Sequence, residues 1–197
     1  VIEARQFNPL FDAAAKVKRY LKKERYVLSF DSDRATTLFT VDLTDYSSKK
    51  ELFPYEYVSK NSGSNSFINL DMLYQISANS DSISLTGIDL KTKNAVGKYQ
   101  ANAKQEIDFK NTPLLLQSEN GKVRELKNTS KFLSKIDFKT MGLSVYSTPN
   151  YDLFTIGGVR EVPSSGGVVL AIGLGIGGAM SGSDVMVGSD FLTNNMQ

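Results

Sequence analysis

The sequence predicts a mainly β fold with a short N-terminal helix, on three observations. Short β-branched and aromatic runs alternate with polar turns, one phrase recurs at a spacing near 47 residues, and 41% of the 197 residues are hydrophobic, enough to bury a core without disulfides.

Residues 1–25 read as a helical segment. Asn8 suits a cap, Pro9 the first turn, and Leu10, Ala14, Val17 and Leu21 recur at helical spacing. Its last turns carry Lys16, Lys18, Arg19, Lys22, Lys23 and Arg25, cations that favour the carbonyl end of a helix. A solvated face accounts for such a cluster; the functional alternative is a partner surface, with Lys16, Arg19, Lys22 and Lys23 as its contacts. The chain opens on Val1 with no charged and apolar leader in view, which reads as a processed or excised chain.

Residues 26–162 read as strands and turns. Expected strands run over 26–30, 37–43, 82–90, 122–126, 131–138, 143–147 and 152–162, with turn-forming sequence at 60–65 and 119–122. Three segments align: Leu38 to Thr44, Leu85 to Lys91 and Leu133 to Lys139, each with an aspartate between apolar neighbours. Asp42, Asp89 and Asp137 stand 47 and then 48 residues apart; Asp184 falls 47 further on among unmatched neighbours. At a strand end such a carboxylate accepts a backbone N–H two residues on and closes the next turn, so a structural role is expected for it.

The phrase apolar-Asp-apolar-Lys-Thr-x-Asn/Gly, with its period, resembles the strand-turn-strand of β-propeller repeats over Tyr26 to Val162. The resemblance implies a propeller-like or partial propeller architecture, since one blade cannot bury its own faces; a β-sandwich is the alternative.

Residues 163–197 form a Gly/Ser-rich segment. Gly173, Gly175 and Gly178 satisfy G-x-G-x-x-G behind the apolar run Val168 to Ile172, which resembles the first turn of an NAD- or FAD-binding domain. The residues that follow are poor helix formers and leave no room for a second strand, so a loop or a Gly-rich strand is the favoured reading. The uncharged run 166–180 is short for a membrane helix and suits an exposed or interfacial contact, with Leu174 and Ile176 as candidate partner residues.

The chain has no cysteine and no histidine, which removes thiol and imidazole catalysis and the usual zinc sites, and its net charge of +2 gives no argument for nucleic acid. Asp31 with Asp33, and Asn79 with Asp81, could offer oxygen ligands to Ca²⁺, but neither fits an EF-hand and turn formation is the simpler account. Asn128-Thr129-Ser130 is a formal glycosylation sequon. Tyr55, Tyr57, Tyr146, Tyr151 and Phe154 could line a groove, with core packing as the default. The expectation is a non-enzymatic protein-interaction or scaffold module without a cofactor, in a larger cell-envelope or extracellular assembly, with peripheral membrane contact allowed and no transmembrane helix. An NAD/FAD-binding oxidoreductase fragment and a structural subunit of a surface layer or fibre are the alternatives.

Overall fold

The computed structural model describes residues 2, 8–56, 62–117, 122–149, 152–162 and 168–177, with 159–162 and 168–177 as backbone only. The protein is mainly β, as the alternating runs predict. A single helical turn, α1 (Leu10–Ala13), precedes two four-stranded antiparallel meanders. Sheet 1 holds β1 (Val17–Lys22), β2 (Arg25–Asp31), β3 (Ala35–Asp42) and β4 (Ser48–Pro54); sheet 2 holds β5 (Gly63–Asn69), β6 (Met72–Ala78), β7 (Ser82–Asp89) and β8 (Ala95–Asn102). Sheet 3 is built from β9 (Leu115–Gln117), β10 (Val123–Glu125), β11 (Met141–Ser147), β12 (Asp152–Val162) and β13 (Val168–Gly177), in the order β10-β9-β13-β12-β11. Helix α2 (Thr129–Leu133) and a 3-10 turn at Phe138–Thr140 lie between β10 and β11.

The 47-residue period is a structural repeat of the first two sheets. Tyr20 pairs with Val27 and Val27 with Thr40 in sheet 1; Phe67 pairs with Tyr74 and Tyr74 with Gly87 in sheet 2, each shifted by 47. The turns repeat too. Leu43 N–H donates to Glu24 O and Leu90 N–H to Asp71 O, while Lys23 and Leu70, then Tyr46 and Lys93, share positive φ values of 50° and 50°, 59° and 62°. Ser32 Oγ accepts from the N–H of Arg34 and Ala35, and Asn79 Oδ1, 47 residues on, accepts from Asp81 and Ser82. One extra residue at a bulge beside Gly87 and Ile88 shifts the rest of β8 by one.

The aspartates do what their position predicts. Asp42 Oδ1 accepts from Thr44 N–H at 3.0 Å, Asp89 Oδ1 from Lys91 N–H at 2.7 Å, and Asp137 Oδ1 from Lys139 N–H at 3.0 Å. Hydrogen bonds from Thr44, with a further one from Arg25, lower the Asp42 carboxyl from 3.8 to about 2. The third phrase, however, is no strand. Residues 129–133 are helical and Asp137 caps the 3-10 turn, because the same carboxylate-to-amide bond closes a helical turn as readily as a hairpin. Asp184 lies outside the described residues.

Three further expectations are corrected. The N-terminal helix stops at Ala13, and Val17–Lys22 is strand β1, so the cations read as a helix end are spread over β1, its two flanks and the start of β2. The turn expected at 60–65 is partly strand, since β5 starts at Gly63 with Ser62 before it; residues 60 and 61 and most of 119–122 lie outside the described residues. The C-terminal segment is not a separate unit: β13 sits inside sheet 3 between β9 and β12, across the boundary expected near residue 162.

Sheet 2 is the middle layer. Nearly every residue of β5, β6 and β7 is buried on both faces, whereas β4 and β8 are largely exposed. Toward sheet 3, Tyr74 meets the Phe154 ring edge-on with centroids 4.9 Å apart and donates to Asp152 at 2.9 Å, and Asn69 donates to Ser147. Packing at this joint depends on small residues. A Cβ on Gly63 would stand 1.8 Å from the carbonyl oxygen of Phe138, a backbone atom with no freedom to swing aside. Gly63→Ala is therefore expected to cost at least about 2 kcal/mol in urea unfolding, as overpacking against backbone does.

Candidate interaction surface

The inner face of sheet 1 carries the chemistry that fixes it to sheet 2. Alternation along β1 and β2 places Lys18, Tyr20, Val27, Ser29 and Asp31 on that face. Lys18 Nζ donates to Asp31 Oδ2 at 3.0 Å, Asn65 Oδ1 at 2.9 Å and Ala15 O at 2.5 Å, with both charged side chains essentially inaccessible. Asp31 also accepts from Thr36 Oγ1 and Tyr55 OH, each at 2.8 Å, and from Ser66 N–H at 3.1 Å. All three ammonium protons and both carboxylate oxygens are engaged.

Burial pushes the Asp31 carboxyl up; the Lys18 charge and the hydrogen bonds from Ser66, Lys18 and Thr36 outweigh it and hold the group below its usual 3.8. So saturated a pair has no lone pair or proton free for a substrate, and its place is structural. Among the described residues no group of three His, Cys, Asp or Glu could hold a metal ion.

The outer face of sheet 1 is of another kind. Strand register arranges twelve residues in three rows across β1 to β4: Val17-Phe30-Thr37-Leu52, Arg19-Leu28-Phe39-Lys50 and Leu21-Tyr26-Val41-Ser48. Val17 is 56% exposed, Leu21 46%, Phe30 37% and Leu52 61%. Phe30 meets Phe39 edge-on at 5.5 Å, Arg19 stands 5.8 Å over the Tyr26 ring and Lys50 5.4 Å over Phe39. A clustered apolar face with rings and two cations marks a binding surface far better than scattered exposed residues do. An open groove of about 440 Å³ continues it around β4, lined in part by Lys50, Leu52, Phe53 and Lys93.

The repeat sharpens the contrast. The same three rows in sheet 2 read Ser64-Ser77-Ser84-Gln100, Ser66-Gln75-Thr86-Lys98 and Ile68-Leu73-Ile88-Ala95, and sheet 1 covers that face over β5, β6 and β7, leaving Gln100, Lys98 and Ala95 of β8 exposed. Gln75 Nε2 reaches Phe53 O at 2.8 Å and Thr36 Oγ1 at 3.1 Å, and Ser64 Oγ reaches Ser32 O at 2.9 Å. The covered copy is largely polar and the exposed copy largely apolar.

The predicted contact residues separate accordingly. Lys16 donates to Ser64 O, and Lys22 to Leu70 O with Asp71 3.7 Å away, so both tie sheet 1 to sheet 2. Arg19 stands on the outer face, and Lys23 is exposed in the β1–β2 turn. Leu174 and Ile176 lie in β13 opposite Ile156 and Phe154, with side chains outside the described residues. Gly173 and Gly175 stand within that strand, paired with Gly157 and Thr155, where the dinucleotide-turn reading expects a turn; among the described residues no turn opens between Gly173 and Gly177, and Gly178 lies outside them. Of the Ca²⁺ candidates, Asn79 closes a turn, whereas Asp31 is the buried ion-pair partner. Tyr55 and Phe154 are core residues, Tyr146 is partly buried in β11, and Tyr57 and Tyr151 lie outside the described residues. The outer-face residues Phe30, Phe39 and Leu52 escaped the sequence reading, although their alternation with the inner face was there to be read.

No family model, curated protein or solved structure matches this chain. Among the described residues no helix is long and apolar enough to cross a membrane.

Asp31→Asn leaves Lys18 buried without its counter-charge and is expected to destabilise the protein by about 3–5 kcal/mol at pH 7 in urea unfolding. Because the native Asp31 pKa is depressed, its contribution is complete above the unfolded value near 3.8 and is lost as pH falls through the native value. The gap between wild type and variant should therefore narrow in acid below about pH 3.8 and stay flat from pH 5 to 7.

Proposed function

We propose that this protein is a non-enzymatic interaction or scaffold module whose docking surface is the outer face of β1–β4. The exposed apolar face of sheet 1 carries the reading, since its repeat-equivalent face in sheet 2 is buried over β5, β6 and β7. Three antiparallel sheets stacked through their faces, two of them in a 47-residue repeat, support a partial, unclosed propeller-like architecture in which loops and faces serve binding. A cell-envelope or extracellular assembly is the setting proposed for it. The saturated Lys18–Asp31 pair and a chain without histidine or cysteine favour binding over catalysis.

The test is fluorescence of anilinonaphthalene sulfonate, an anionic dye that brightens on apolar surface, with the full chain. Wild type is expected to bind it, and Leu21→Asp with Leu52→Asp, both at exposed positions, to lose at least about half the signal, since each removes apolar area from one contiguous patch. Equal signals from both proteins, with matching circular dichroism, would remove the outer face as a docking surface.

A further inference from the structure

The geometry points to a partner of definite kind: a β-sheet with an apolar centre and carboxylates along its two edges docks face to face on the outer face of sheet 1. This rests on the interaction-module reading and specifies what the module holds.

The repeat supplies the sheet. The surface in sheet 2 related to the outer face by 47 or 48 residues is covered over β5, β6 and β7 by a four-stranded antiparallel sheet, so where both layers are present this repeat buries most of that face under another sheet. Packed sheets lie about 10 Å apart with strands within about 30° of one another, and a face of twelve residues across four strands suits that mode.

Charge supplies the acid. The middle row runs Arg19, Leu28, Phe39, Lys50, with a cation on each edge strand and apolar side chains between, and none of the twelve positions is Asp or Glu. Each cation is held over a ring of its own sheet, and neither forms an ion pair among the described residues. A second copy meeting this face with its own would set cations against cations in either alignment of the strands, and like charges brought together disfavour that contact. A carboxylate on each edge of an opposing sheet meets Arg19 and Lys50 while its middle strands cover Leu28, Phe30 and Phe39.

The chain itself can be made into the partner. The full-length variant Arg19→Glu/Lys50→Glu presents an apolar sheet centre flanked by carboxylates, the chemistry required. Sedimentation velocity is run on wild type alone, on the variant alone and on an equimolar mixture. Each protein alone is expected to stay monomeric and the mixture to form a one-to-one complex at low salt. A face four strands wide buries on the order of 700 Å² in total, which puts the contact among weak, transient ones. Raising salt from about 20 mM to about 500 mM should weaken it at least about fivefold, because its charges lie at the rim.

The variant Lys50→Glu carries a cation on one edge strand and a carboxylate on the other, so with β1 set against β4 it is expected to self-associate on its own, and it keeps the test open if the double variant does not fold; a monomeric Lys50→Glu protein counts against the sheet partner. A wild-type dimer would make a second copy the occupant and overturn the acidic partner. A mixture that stays monomeric overturns the sheet partner; if dye binding still falls with Leu21→Asp/Leu52→Asp, the interaction surface stands without it. Loss of both results removes the surface as well.

Discussion

The joint between the first two sheets depends on one buried carboxylate. β5 is the edge strand of sheet 2, and an edge strand enclosed by protein must have its outward backbone groups satisfied by something other than water. Sheet 1 provides side chains for this. Asp31 accepts Ser66 N–H, Tyr20 OH meets Ile68 N–H at 3.2 Å, and the ammonium groups of Lys16 and Lys22 cover the carbonyls of Ser64 and Leu70. Asp31 stays charged in this enclosure because Lys18, Thr36 and Tyr55 hold it from the other side. The arrangement ties the place of β5 to the register of β1 and β2, and a one-residue slip in either strand would turn Asp31 or Lys18 toward solvent.

That requirement explains which parts of the fold were legible in sequence. Strands β2, β3, β7, β11 and β12 follow ordinary patterning and local turn chemistry, and all were predicted. β1 was not, because its pattern is inside out: Lys18 and Tyr20 are buried while Val17 and Leu21 are exposed. Read for hydrophobicity alone, Leu10, Ala14, Val17 and Leu21 fit a helix, and the tertiary demand for a charged group opposite Asp31 overrides that periodicity. β5 was hidden for a related reason. Gly63-Ser-Asn-Ser66 looks like a turn, and only a partner sheet rich in donors and acceptors makes it a buried strand.

Local motifs were legible in their bonding and ambiguous in their setting. Asp42, Asp89 and Asp137 each accept the expected backbone N–H, yet the first two end strands and the third caps a 3-10 turn. A carboxylate that binds the amide two residues on fixes three residues of backbone and says nothing about the pairing before them. The repeat was secured by features with no residue identity at all, such as the positive φ shared by Lys23 and Leu70, which no comparison of letters reveals.

The outer face of sheet 1 follows from the same division of labour. In sheet 2 the face under sheet 1 is mostly serine, threonine and glutamine, because the groups above it include carbonyls and hydroxyls that need partners. Its counterpart in sheet 1 keeps the register and replaces those residues with Val17, Leu28, Phe30, Phe39 and Leu52. If that face only met water, the polar set would serve at least as well, since exposed apolar clusters invite aggregation. Repetition of the backbone with inversion of the chemistry is what two different neighbours would require: the polar groups of sheet 1 over sheet 2, and over sheet 1 the apolar sheet proposed as its partner.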